Sequence, residues 1–334
     1  IHVTTHEFVI RDYLQFEAGE PFDSAAVAES ERQLRLRRLF REIAMDSVRL
    51  EDGRLAVRVH SQDGWSLKPK FKFSVASTGD WTGTFGINEI NLLGTGNQVY
   101  AAYVKELDRD GLNASALFTR IFGWDFDAGG NYAGLSDGRN GNWLMGLPFR
   151  NTESSRSYQW DGLWADQDII QYRVTDAQDS VVTDTTTYRR DAFINTLKAG
   201  LATRHRIGNY TRWGADIGIR REQFYLDPSA RGTVPDSIYG TVSVWGEVSK
   251  ARFAQYRRFN GFGTEDIDLS STVKLTATLA PETFGWQGTG VGLGLNAATG
   301  LNRAIAGRGW VWASIDANYL WNAAVQDSGR VIVN

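Results

Sequence analysis

From Ser66 onward, apolar and polar residues trade places at every second position, which is the period of a strand with one apolar face. Leu67, Phe71, Phe73 and Val75 alternate with Lys68, Lys70, Lys72 and Ser74, and Trp213, Ala215, Ile217 and Ile219 alternate with Arg212, Gly214, Asp216 and Arg220. Val242, Val244 and Val248 oppose Thr241, Ser243 and Glu247; Val273, Leu275, Ala277 and Leu279 oppose Thr272, Lys274, Thr276 and Thr278. Val311, Ala313, Ile315 and Ala317 likewise oppose Trp310, Trp312, Asp316 and Asn318. Turn residues punctuate these runs at Thr78-Gly79-Asp80, Asp108 to Gly111 and Asp137 to Gly141, with longer polar loops at Thr175 to Asp184 and Pro228 to Pro235. The pattern predicts roughly a dozen antiparallel strands of the length that crosses a bilayer, and no helix.

The first 64 residues read differently. Thr5 is placed to cap a helix carrying Phe8, Val9, Tyr13 and Leu14, and Gly19-Glu20-Pro21 breaks it. Asp23 caps a second helix with Val27, Leu34 and the arginine run Arg32, Arg35, Arg37, Arg38 and Arg41. A hairpin follows, Ile43 to Leu50 and Arg54 to His60 around Glu51-Asp52-Gly53. The expected division is a small α+β domain over 1–64 and a β-rich domain over 65–334, with the small sheet completed by a strand before Ile1 or around His2 to Thr4.

Composition sharpens this. A mean hydropathy of −0.34 ordinarily argues for a soluble sandwich or propeller, but membrane barrels also average low because every strand has a polar side. Trp81, Tyr100, Trp124, Trp143, Trp160, Trp164, Tyr239, Trp245 and Trp321 crowd predicted strand ends, as interfacial girdles do, tight and long connections alternate, and no blade-like motif recurs. The barrel is the better reading. A net charge of −3 gives no basic field for nucleic acid, the absence of cysteine removes disulfides and thiolate chemistry, and no apolar run is long enough for a membrane helix. Ile1 stands where an initiator Met would be, so the sequence is expected to begin inside a longer product.

The segment Gly86 to Asn97 carries the most specific signal. Gly94 and Gly96 supply backbone freedom and Asn91 a side chain able to satisfy turn amides. A phosphate loop would need a helix next, and Gln98 to Val104 reads as a strand. The residues Glu89, Asn91, Leu93, Gly94 and Gly96 resemble the Glu-x-Asn-(Leu/Phe)-Leu-Gly-x-Gly turn early in the barrel of the BamA/TamA-like outer-membrane assembly superfamily, and Asp63 to Pro69 resembles the junction before it. Gly19, Pro21, Phe22 and Asp23 are similar to the stretch entering the second helix of a POTRA domain.

The resemblance implies a POTRA-like periplasmic domain and a transmembrane β-barrel in a Gram-negative outer membrane, handling unfolded or extended client polypeptides with lipoprotein accessory subunits. It implies no cofactor, no metal and no catalytic residue. POTRA edges would capture clients, and the first barrel strand, Lys68 to Ser77 with Lys68, Lys70, Phe71, Lys72, Phe73 and Val75, would form one side of a lateral seam for protein insertion and transport. Two features depart from the family. Neither Arg257 to Phe262 nor Arg308-Gly309-Trp310 is a clean copy of its Arg-Gly-aromatic lumen motif, and Val331 to Asn334 lacks a terminal aromatic residue. A complete relative needs roughly 16 strands, so the C-terminal strands are expected to be missing. The alternative is a passive outer-membrane channel or structural barrel with a periplasmic adaptor.

Other chemistry is weaker. His2 and His6 have ligand spacing without a third partner, His205 reads as a solvated rim rather than the base of a barrel lipase, and Asp125 with Asp127 or Glu265 with Asp266 and Asp268 read as solvated loops. The arginine run reads as the wet side of its helix.

Overall fold

The computed structural model describes residues 3–76, 79–121, 124–151, 154–176, 181–206, 208–226, 238–257, 264–302, 310–322 and 328–333. The chain opens with α1 (Glu7–Arg11) and α2 (Ser24–Leu36), followed by an antiparallel hairpin of β1 (Phe40–Arg49) and β2 (Leu55–Asp63). The predicted order holds. His6 rather than Thr5 is the N-cap of α1, without a side-chain cap bond. Asp23 does cap α2, its Oδ1 accepting the N–H of Ala25 at 2.8 Å, and the Ala-, Glu- and Leu-rich body contains no breaker until Arg38 turns left-handed at φ 55°. Among the described residues no third strand joins β1 and β2; Val3 and Thr4 are irregular, and Ile1 and His2 lie outside the described residues.

The rest builds one antiparallel sheet of 14 strands. In chain order these are β3 (Leu67–Val75), β4 (Trp81–Leu92), β5 (Asn97–Lys105), β6 (Asp110–Phe118), β7 (Asp127–Leu135), β8 (Gly138–Leu147), β9 (Arg156–Asp176), β10 (Val181–Arg206), β11 (Asn209–Tyr225) and β12 (Tyr239–Lys250), then β15 (Ser271–Ala280), β16 (Gly290–Leu301), β17 (Val311–Asn322) and β18 (Ser328–Val333). Between β12 and β15 the chain makes a separate hairpin, β13 (Phe253–Arg257) and β14 (Thr264–Asp268). Neighbours in sequence are neighbours in the sheet throughout, with β3 and β18 as its two edges.

The sheet thus exceeds the dozen strands expected. The Thr175 to Asp184 segment, predicted as a loop, is strand at both ends: β9 runs to Asp176 and β10 resumes at Val181, giving strands of 21 and 26 residues. Threonine-rich and β-branched sequence sustains a ladder even where apolar alternation fades. Connection lengths do not sort by end. Connections at the end nearer α1 and α2, the proximal end, range from 207–208 to 251–270, and those at the distal end from 136–137 to 226–238. The predicted loop at Pro228 to Pro235 lies outside the described residues.

Register splits the sheet into two chemically distinct faces. Paired positions share a face, and one path across the sheet joins Phe71, Phe85, Tyr103 and Leu112, while another joins Leu197, Ile217, Val242, Leu279, Val291 and Trp321. The opposite face carries Lys72, Thr84 and Val104, and farther along Lys198, Asp216, Ser243, Thr278 and Gly292. The apolar face is uncovered: Phe71 is 76% exposed, and Ile217, Val248, Leu275 and Leu293 are also exposed. Among the described residues no helix is long and apolar enough to cross a membrane.

Five of the nine aromatics assigned to a girdle, Trp81, Trp143, Trp160, Trp164 and Trp321, lie on the apolar face, whereas Tyr100, Tyr239 and Trp245 share the polar one. Trp245 is there because its indole N–H donates to Asp216 at 3.2 Å. Trp124 sits in the β6–β7 connection.

Candidate functional site: an open strand edge anchored by a docked turn

β3 is an edge strand exposed along its whole length, and which of its backbone groups point outward follows from two bonds that flank it. Ile90 donates its N–H to Ser66 at 3.3 Å, and Ala76 donates to Asp80 at 2.8 Å. Both pairs continue the β3–β4 register. The alternation of an antiparallel ladder then directs Lys68, Lys70, Lys72 and Ser74 at β4, and Leu67, Pro69, Phe71, Phe73 and Val75 at the open side. The open edge offers N–H donors at Leu67, Phe71, Phe73 and Val75. Pro69 withdraws the donor that would stand between Leu67 and Phe71, at the position where an edge strand tolerates proline. Pro69 was read from sequence only as part of a junction; a proline inside an alternating run is itself the signal of an edge.

The side chains sort with the backbone. Phe71 meets Phe85 edge-on at 5.2 Å and Phe73 stacks on Trp81 at 5.9 Å, both on the apolar face, while the lysines share the polar face. β18 forms the other edge of the sheet and is exposed along its length. Ser77, the end of the predicted seam strand, lies outside the described residues, and β3 stops at Val75.

The other end of β4 is held by the glycine turn. Asn91 is 3% exposed and its amide is used on both sides: Oδ1 accepts the N–H of Gly96 at 2.7 Å, and Nδ2 donates to Thr5 Oγ1 at 2.8 Å. The Glu89 carboxylate accepts the Asn91 N–H at 2.7 Å. Thr5 in turn donates from its N–H and hydroxyl to Asp63 at 2.7 and 2.8 Å. The Gly94 carbonyl accepts the N–H of His6 at 2.8 Å. Gly94 (φ 76°) and Gly96 (φ 72°) are left-handed, and a Cβ on Gly94 would lie 2.3 Å from the carbonyl oxygen of Thr4. Glycine is required there for backbone shape and for room. Leu93, also left-handed at φ 53°, is exposed. Beneath the turn Val9, Leu39 and Ile90 form a buried apolar cluster with Tyr13 and Phe40 against it. The turn motif therefore joins the helical unit to the sheet.

Gly19, Pro21, Phe22 and Asp23 have a local role, with Gly19 at φ 97°, Phe22 exposed and Asp23 as the cap. The arginine run is not a wet face. Arg32 is buried against Glu29 at 2.5 Å, Arg35 pairs with Asp266 at 2.8 Å, and Arg37 donates to the Gly96 carbonyl at 3.3 Å; Arg38 and Arg41 are exposed. Burial alone would lower the Arg35 pKa, but the hydrogen bond and charge of Asp266, with Glu31, raise it above the ordinary value.

Three of the candidate carboxylates, Asp125, Asp127 and Asp266, are likewise taken by arginine. Arg150 reaches Asp125 at 3.2 Å and Asp127 at 2.7 Å, and Asp268 accepts the Ser270 N–H at 2.8 Å. His6 stacks on Phe8 at 5.7 Å, and His205 is exposed with Nε2 2.9 Å from the Thr211 hydroxyl. His2, residues 258–263 and 303–309, which hold most of both partial copies of the lumen motif, and Asn334 lie outside the described residues.

No family model and no curated protein matches the chain. Among solved structures it is similar to BamA from Haemophilus ducreyi lacking POTRA domains 1–3, at 11% identity over 96% of this chain and 70% of that one, with a TM-score of 0.41. This is a loose likeness, and the functional reading rests on the sheet's two faces and its open edge.

Proposed function

We propose that this chain is an outer-membrane β-barrel protein of the assembly type, with its N-terminal unit acting as a POTRA-like periplasmic domain and the β3 edge as one side of a seam that pairs with client strands. The observation that carries the reading is the apolar face. An exposed apolar face crossing a sheet of 14 strands far exceeds what a soluble protein leaves in water, and a hydrocarbon surround removes that cost. The polar face then lines the interior.

The edge gives the reading its chemistry. In hydrocarbon each unpaired backbone group costs several kcal/mol, so the donors of Leu67, Phe71, Phe73 and Val75 require a partner: β18 to close the barrel, or an extended client added as a strand. Pairing needs no catalytic group and no cofactor. Lys68 to Val75 act through backbone geometry, and Asn91 to Gly96 fix the strand beside them to the periplasmic unit. Lipid, extended polypeptide and periplasmic accessory subunits are the partners this reading assigns.

The test is the double variant Phe71→Asp/Phe73→Asp. It should lose membrane insertion and the heat-dependent shift in gel mobility of a folded barrel; an unchanged shift contradicts the assignment. Conductance in planar bilayers separates assembly from passive transport. A small fluctuating pore fits the seam, and a wide constitutive one fits a channel.

A further inference from the structure

The apolar face of the sheet ends abruptly on its distal side, and the register shows where. One cross-strand row on that face runs Tyr132, Gly141, Trp164 and Phe193, with the rings of Tyr132 and Trp164 6.1 Å apart. The next row on the same face, one step distal, runs Gly134, Arg139, Asp166 and Asp191. Aromatic rings on β9 and β10 therefore give way to charge at the next residue of the same face. In a bilayer this step is where hydrocarbon meets headgroups.

A recess of about 480 Å³ opens at the step, lined by Tyr132, Gly134, Arg139, Asp166, Asp168 and Arg189 among others. Its charges are unequally matched. Arg189 donates to Asp166 at 2.7 Å, to Asp168 at 3.0 Å and to the Asp137 carbonyl at 2.9 Å, so the three side chains together keep one negative charge in excess. Asp168 is the more open carboxylate, 32% exposed against 19% for Asp166. The Asp137 carboxylate, at the rim, is matched by Arg109 at 3.2 Å. Arg139 is different: it is exposed and makes no hydrogen bond or ion pair among the described residues. Gly134, its register partner on β7, has no side chain to cover it.

An uncommitted guanidinium thus stands beside a net negative cluster. Guanidinium binds phosphate through paired N–H donors, and a carboxylate accepts from a primary ammonium. A headgroup with negative charge alone would meet the aspartates unfavourably, and a quaternary ammonium has no N–H to donate. The proximal boundary of the same face lacks this pairing: Lys250 is exposed in a row with Asn209 and Ser271, without a carboxylate.

We propose that the recess binds the headgroup of a phospholipid carrying both a phosphate and a primary ammonium, with the phosphate on Arg139 and the ammonium on Asp168. Tyr132 and Trp164, one step deeper, then flank its glycerol and first methylenes. This rests on the barrel reading, and the test separates the two.

The full chain in detergent micelles is incubated with dioleoyl phospholipids bearing ethanolamine, choline or glycerol headgroups, and the lipid retained is counted by native mass spectrometry. The heat-dependent gel shift of the same preparation tests the barrel by itself. Wild type should retain the ethanolamine lipid about 10-fold over both others, the worth of one hydrogen bond to a charged group. Arg139→Gln should lower that retention about 10-fold, Asp168→Asn should erase the advantage over the choline lipid, and Lys250→Gln should change neither. Equal retention of the three lipids by a heat-shifting wild type, or best retention of the glycerol lipid, overturns the site and leaves the barrel standing. Unchanged retention by Arg139→Gln also overturns it. A wild type without the heat shift overturns the barrel reading and the site with it. If a variant fails to fold, the wild-type lipid series decides alone.

Discussion

Replacing Gly94 by alanine isolates what the glycine turn does. The substitution places a side chain at φ 76°, which costs roughly 1–2 kcal/mol for a residue with a Cβ. It also puts that Cβ 2.3 Å from the Thr4 carbonyl oxygen, a backbone atom that cannot rotate away, and relieving such overpacking costs roughly 1–3 kcal/mol more. The sum, about 2–5 kcal/mol, falls on the contact between the N-terminal unit and the sheet. Gly53 is the control: at φ 83° it bears the same backbone cost but has nothing within 4 Å of its added Cβ. The readout is exchange of the His6 amide, which donates to the Gly94 carbonyl. Gly94→Ala should speed it by about 10-fold or more, while Gly53→Ala changes only the β1–β2 hairpin. Equal effects of the two variants on His6 would refute the claim that the turn is shaped by docking.

Asn91→Ala removes the acceptor for Gly96 and the donor to Thr5 in a buried site and should cost roughly 1–3 kcal/mol in thermal stability; Asn91→Asp, which keeps the acceptor, should lose less, and equal losses would count against the assigned bonds. Pro69→Ala restores an N–H on the open edge and should increase strand pairing, seen as more dimer on cross-linking in detergent, whereas Lys70→Ala, whose backbone faces β4, should not. In the hairpin, the Arg58 hydrogen bond holds the exposed Asp46 carboxyl below its ordinary pKa, with Arg58 and His60 charges adding to it. A depressed carboxylate contributes stability above its unfolded pKa and loses it as pH falls through the folded one, so the β1–β2 amides should lose protection only below about pH 4. Asp46→Asn should flatten that profile, and a wild-type profile already flat to pH 2 contradicts the pairing.

Period-two alternation made most of the sheet legible, because one face is apolar and the other polar, and each residue's parity states its side. Where that contrast fades the reading failed: Thr175 and Asp176 continue β9 and Val181 to Asp184 open β10 where a loop was expected, and Trp245 sits on the polar face, where Asp216 accepts its N–H. Gly94, Gly96 and Asn91 were legible as a turn, but not as a docking surface, since the atoms they meet come from residues far away in sequence. The arginines of α2 were misread for the same reason. Spacing on a helix reveals which side chains share a face, and only the fold reveals that Asp266 and Phe253 lie against that face.

The measurement that tests the account most directly uses the absence of cysteine. Single cysteines at Val244, Leu275 and Leu293, and at their sequence neighbours Ser243, Lys274 and Gly294, are spin-labelled in the vesicle-bound protein and challenged with oxygen, which concentrates in lipid, and with a water-soluble nickel chelate. The account predicts strict alternation, with Val244, Leu275 and Leu293 relaxed by oxygen and the other positions by nickel. Equal nickel access at both sets, or Val244, Leu275 and Leu293 shielded from oxygen and nickel alike, would contradict a lipid-facing sheet.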